Sequence, residues 1–267
     1  MAFQQLVDSI PIVGIFVGFA ILALVTLECG YKVGCWWQAR TPEEKEGPTP
    51  MIVGSLLALM AFLLAIAMGM ASDRFDARRA LVLAEANALG TAYLRAGYLS
   101  KPAAGEIQAL IREYVPLRVA TDDAADIRRK IARSIELQGK LWSIAEELAR
   151  AKPESVVLGL FIESLNEVLD LHQKRVTASV YARIPETILF LLLFGSMLAL
   201  AMVGYNAGLT RRRSPLSAIV LIAVLGAVIT LVFDLDRPQG GFLQVSQQPF
   251  FDLHQQIGAS FPSRPSK

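Results

Sequence analysis

Apolar and charged positions are sorted along this chain into blocks rather than mixed. Residues 10–27, 51–71, 188–205 and 216–233 each run for 18 or more positions without Asp, Glu, Lys, Arg or His. A helix needs roughly 20 predominantly apolar residues to cross the hydrocarbon core of a bilayer, so each stretch is long enough to span. The stretches form two pairs, and residues 72–187 between the pairs are rich in charge. The pattern predicts an all-α polytopic membrane protein. Two transmembrane hairpins, at 1–71 and 188–233, flank a soluble helical-bundle insert at 72–187, and a tail follows at 234–267.

Inside the insert the apolar spacing is helical, with no strand-like alternation. Phe75, Val82, Ala86, Leu89 and Tyr93 make one stripe on a helix that runs straight out of the second span and stops near Gly97. Ser100 ahead of Pro102 reads as the cap of a second helix, with Ile107, Leu110, Ile111, Tyr114 and Leu117 on its apolar face. A turn at Thr121, Asp122 and Asp123 precedes a third helix with Ile127, Ile131, Leu137, Leu141, Ile144 and Leu148, ending before Pro153. A fourth presents Leu158, Phe161, Leu165, Leu169, His172 and Val176 and approaches the third span through Pro185. None of these helices can bury its stripe alone, so they are expected to pack as a bundle or against neighbouring subunits. His172 lies on the buried stripe, either as a hydrogen-bonded packing residue or as a ligand or pH sensor.

Composition narrows the function classes. With 54% hydrophobic residues the chain is not purely soluble. Its 26 basic and 24 acidic side chains nearly balance, which gives no basic surface for a nucleic-acid partner. The first apolar run is longer than a signal-peptide core and no Lys or Arg precedes it, so it is expected to stay as an anchor. Cys29 and Cys35 have no nearby His, and a zinc site there would lack ligands; no metal or cofactor is expected. Two histidines, no Ser, His and Asp constellation and no phosphate-cradling glycine loop make an enzyme the weakest class.

Charge also bears on orientation. Lys32, Arg40 and Lys45 follow the first span and Arg211, Arg212 and Arg213 the third, while the N-terminal tail has no basic residue. Short basic loops stay in the cytoplasm, so the insert and both termini are expected outside, in the periplasm if the membrane is a bacterial inner membrane. Arg74, Arg78, Arg79, Lys174, Arg175 and Arg183 flank the spans on the other side and pull the opposite way.

The spans carry candidate packing and pore residues. Gly54, Ala58, Ala61, Ala65 and Gly69 line one face of the second span, and Gly14 and Gly18 sit on the first; small residues let helices approach in lipid. Phe62, Ile66 and Met70 occupy another face of the second span and would constrict a pore, since apolar rings gate by dewetting. No ionisable residue lies mid-span, which weakens proton-coupled transport. Just past the second span, Arg74, Arg78 and Arg79 read as interfacial anchors or as an anion vestibule. Glu85, Asn87, Thr91, Tyr93 and Arg95 follow, either as an interhelical hydrogen-bond network or as a ligand- or ion-sensing site.

The run SDRFDARRALVLAEANALGTAYLRAGYL at 72–99 resembles the bacterial bestrophin-like domain family, as do IREYVPLRV at 111–119 and DLDRPQGGFLQVSQQP at 234–249. The resemblance covers nearly the whole chain. It implies a remote similarity to bestrophins, pentameric ion channels with two pairs of membrane helices around a helical domain and a pore lined by the second span. By position, it would put Phe62, Ile66 and Met70 near the narrow part. Two features depart from that pattern: bestrophins hold the large domain in the cytoplasm, and this chain has no acidic run like a bestrophin calcium clasp. The leading expectation is a homo-oligomeric ion channel or channel-like protein in the bilayer. The alternative is a structural or signalling membrane protein whose insert binds a partner or ligand.

Overall fold

The computed structural model describes residues 7–41, 48–121, 123–180, 182–238 and 240–258. Lys45 and Asp122, both used above, lie outside the described residues. The helices used below are, in chain order, α1 (Ile12–Gln38), α2 (Thr49–Ala96), α3 (Lys101–Leu117), α4 (Ala124–Ala151), α5 (Val156–Val180), α6 (Glu186–Thr210), α7 (Pro215–Asp236) and α8 (Gln248–Gln256). Of these, α1, α2, α6 and α7 are long and apolar enough to cross a membrane. The all-α polytopic architecture, with two pairs of spans around a helical insert, is therefore present. Two compact units are formed, one from Met1–Phe75 with Arg183–Leu243 and the other from Asp76–Ala182 with Gln244–Lys267.

In the membrane unit, α1 runs on past the apolar stretch to Gln38, so Glu28, Cys29, Lys32 and Cys35 ride on the helix rather than in a loop. The close approach in this unit is between α1 and α6. A Cβ on Gly30 would stand 2.1 Å from the Ala201 carbonyl oxygen, and one on Gly204 would stand 2.0 Å from that of Leu27. Gly34 and Gly208 repeat the arrangement one turn on, at 2.2 Å from the Tyr205 oxygen and 2.3 Å from the Tyr31 oxygen. The stripes expected to pack closely do not: a Cβ on Gly18, Gly54 or Gly69 would meet nothing within 4 Å. Backbone contact in lipid needs small residues on both helices at one level. Gly30 and Gly34 face Gly204 and Gly208, whereas the second-span stripe has no such counterpart. The core of this unit joins Phe19 and Ala23 of α1, Met60, Leu64, Ala67 and Ala71 of α2, Leu189, Leu192 and Leu200 of α6, and Ile222 and Ile229 of α7.

In the insert unit the stripes read from the sequence converge. Val82, Ala86 and Leu89 of α2 meet Ile107, Ile111 and Tyr114 of α3, Leu137 and Leu141 of α4, and Phe161 and Leu165 of α5. Ser100 stands at the start of α3 ahead of Pro102, but its side chain makes no capping bond. Asp123 does cap α4, accepting from the Ala125 amide at 2.9 Å. The short α8 places Phe250, Leu253 and Ile257 in the same core, a contribution that the sequence analysis did not anticipate.

Substituting Gly204 by Val drives a branched side chain into the α1 backbone, and is expected to cost about 3 kcal/mol or more. Gly54→Ala, which meets open space, is expected to stay within about 0.5 kcal/mol of the parent. Thermal unfolding of the detergent-solubilised protein separates the two; equal midpoints would remove the glycine crossing as a determinant.

Candidate functional site

In the membrane unit, one face of α2 stays uncovered. Phe62 is 62% exposed and Ile66 45% exposed. Asp73, Asp76, Asn87 and Thr91 are exposed as well. The 3.6-residue period places Phe62, Ile66 and Asp73 on one side of the helix within the membrane unit, and Asp76, Asn87 and Thr91 on one side within the insert unit. Met70 is half-buried and lies toward the edge of that face, while the opposite face buries Val53, Met60, Leu64, Ala67 and Ala71. In the membrane unit the stripe passes from apolar side chains to the Asp73 carboxylate, and in the insert unit the exposed side passes from the Asp76 carboxylate to neutral polar groups. Of the three arginines singled out, Arg74 is half-buried in the membrane unit, while in the insert unit Arg78 is buried and Arg79 is exposed.

A second feature is a charged cluster inside the insert unit. Glu85 lies on the apolar stripe of α2 and is fully buried. A carboxylate removed from water persists only with cationic partners and hydrogen bonds. Here Arg118, at the end of α3, donates through Nε to Oε1 at 2.7 Å, and Arg175 of α5 donates through Nη1 to Oε2 at 2.7 Å. The Arg175 Nη2 also donates to the Arg118 carbonyl at 2.9 Å and to Gln247 Oε1 at 3.0 Å. Its guanidinium lies over the Phe250 ring. Burial lowers the Arg175 pKa from its ordinary value and the Glu85 charge opposes that shift. The cluster thus ties α2, α3, α5 and the segment entering α8.

Beside it, Tyr114 accepts from Gln138 Nε2 at 2.9 Å, and its hydroxyl lies 3.0 Å from His172 Nδ1. Burial pushes the Tyr114 hydroxyl pKa up. Burial, reinforced by the Arg118 charge, pulls His172 down to about 4, so the imidazole is neutral near pH 7. His172 is a buried, hydrogen-bonded member of the core.

The remaining residues of the familiar run are dispersed. Tyr93 receives a hydrogen bond from Arg112, and its carbonyl accepts from Gln108 at 3.2 Å. Arg95 donates to the Leu160 carbonyl at 2.7 Å and pairs with Glu163 at 3.6 Å. Of the junction candidates, Glu85 enters the buried charged cluster. Its partners Arg118, Arg175 and Gln247 were not among the candidates. The signal that could have found them is a lone carboxylate on an apolar helical stripe, which demands guanidinium groups from other helices.

The DLDRP residues are organised in the membrane unit. Asp234 is buried and accepts from the Phe242 and Leu243 amides at 2.9 and 3.0 Å. Asp236 accepts from the Ile184 amide at 2.8 Å and from Arg183 Nε at 3.2 Å. Arg183 reaches Asp8 at 3.0 Å, and Arg237 donates to the carbonyls of Val7 and Ile10. Among the described residues no three His, Cys, Asp or Glu side chains are grouped as a metal site would require.

The pattern of the bestrophin-like domain matches residues 16–250. No curated protein matches the chain in sequence. Among solved structures, a membrane protein crystallised as a point variant superposes with a TM-score of 0.66 at 14% identity, covering 92% of this chain and 97% of that one. A bacterial bestrophin homologue from Klebsiella pneumoniae, also a point variant, gives 0.65 at 15% identity, with 92% and 97% covered. A further crystal structure of a Klebsiella pneumoniae bestrophin homologue gives 0.63 at 15% identity over 92% and 95%. At these identities the likeness is one of fold.

Replacing Glu85 by Gln preserves shape and removes the charge that faces two guanidinium groups. Breaking a buried pair in this way costs about 3 to 5 kcal/mol. The Glu85→Gln protein is expected to unfold well below the parent in a thermal melt in detergent. An unchanged midpoint would show that the insert does not depend on this carboxylate.

Proposed function

Because the chain belongs to the bestrophin-like domain family, we propose that it assembles into a homo-oligomer, a pentamer by that likeness, and conducts ions through a pore lined by α2. The observation that carries this reading is the uncovered stripe of α2. Phe62 and Ile66 lie on it where the helix is apolar, and α1, α6 and α7 leave that face free. Repeated around an axis, these side chains make an apolar constriction that conducts when wetted and closes when dry. Met70 widens the same ring on its edge. Asp73 shares the stripe of the membrane unit beyond the constriction, and Arg74 stands at its flank. A ring of carboxylates attracts cations, so the conducted ion is a cation.

Protein reconstituted in liposomes is expected to pass monovalent cations. Phe62→Ala, which opens the constriction, should change that flux severalfold with the fold intact. The detergent-corrected particle mass should be a multiple of the 29.1 kDa chain, with a factor of about five for a pentamer. A monomer that stays electrically silent across pH would sink the channel reading and favour a signalling or structural role.

The basic short loops support an insert and termini on the outer side of the membrane. In a background with Cys29 and Cys35 replaced by Ser, an impermeant maleimide applied to intact cells is expected to label Ser72→Cys and spare Ser214→Cys. The reverse pattern places the insert in the cytoplasm.

A further inference from the structure

The segment after α7 is built with more care than a connecting loop requires. Gly240 has φ of +78°, a backbone conformation that glycine adopts without strain. A Cβ on Gly241 would stand 2.1 Å from Asp234 Oδ1. The two glycines therefore let the backbone close on the buried Asp234 carboxylate, which takes both following amides, of Phe242 and Leu243. The side chains thus pinned do not fold inward: Phe242 is 74% exposed and Leu243 43% exposed. In water such an arrangement would hold a large aromatic group out at a free-energy cost.

These two side chains rim a cleft of about 450 Å³ between α1 and α7, walled by Ile12, Val13, Phe16 and Leu231. Both helices have the length and composition of membrane spans. Their outer faces, with Val13, Val17, Ile21, Val220 and Val224 all exposed, continue the same apolar surface. The cleft is thus continuous with the exposed apolar faces of two helices long and apolar enough to cross a membrane, and its lining is almost wholly hydrocarbon. Asp234, the charged group at its rim, is already occupied by two backbone donors.

We propose that this cleft binds the acyl chain of a membrane phospholipid. Phe242 and Leu243 form a fixed apolar finger that inserts beside the chain at the membrane boundary, and Asp234 is the positioning residue that holds the finger. The site is separate from the α2 stripe and does not depend on the conduction of ions.

The test uses the full chain in phosphatidylcholine and phosphatidylglycerol vesicles containing a trace of phospholipid with a diazirine on the acyl chain. After irradiation, adducts are mapped by mass spectrometry. The proposal expects adducts on Phe242, Leu243 and Phe16 above the level on the mid-span residues Val17 and Ile21. In the Phe242→Ala, Leu243→Ala double variant, adducts on Phe16 should fall about tenfold, while those on Val17 and Ile21 persist and report a folded span. Asp234→Asn should lower the labelling of Phe242 in the same manner. Labelling of Phe242 only by a water-soluble diazirine overturns the proposal. So does a crosslink from Phe242 to a second copy of the chain, which would assign the surface to subunit contact.

Discussion

Charge withdrawn from water must be paired, and this constraint organises both units of the chain. In the membrane unit it clears the middle of every span of ionisable groups and gathers them at the boundary. There Asp236 serves Arg183 and the Ile184 amide, Asp234 serves two amides beyond the span, and Arg237 takes two backbone carbonyls. Among the described residues of the insert unit a single carboxylate, Glu85, enters the core and brings two guanidiniums with it. Removing either side of such a pair leaves a bare charge, so these groups hold register more than they add net stability.

Apolar packing fills in around those fixed points by different means in the two units. In water the insert gathers long aliphatic and aromatic stripes, with Phe161, Leu141 and Tyr114 fully buried. In hydrocarbon burial of apolar area gives no comparable drive, so α1 and α6 gain dispersion contact by bringing backbones together over glycine. The same logic explains why α2 can leave one face open. Its other face is already packed, and an uncovered apolar stripe in a membrane protein costs little until a second subunit or a lipid meets it.

The helical content, the four spans and the composition of the insert core were legible in the sequence because each rests on local periodicity. Val82, Ala86 and Leu89, or Leu158, Phe161 and Leu165, announce their shared face by spacing alone. The glycine crossing was misplaced because Gly54 and Gly69 look as suitable as Gly204 and Gly208 until the facing helix is known. Glu85 was singled out, but Arg118 and Arg175 lie 33 and 90 positions away, beyond any local pattern. The role of α8 was missed for a related reason: nine residues with a few apolar side chains carry too little periodicity to announce a core position.

The sequence by itself determined that this chain is an all-α, multi-pass membrane protein with a charged helical insert, because solvent preference and helical period are properties of short stretches. Only the tertiary structure decided which small residues make contact, which charges pair and which face of α2 remains open. Those outcomes depend on what stands opposite each side chain, and residues far apart in the chain supply it.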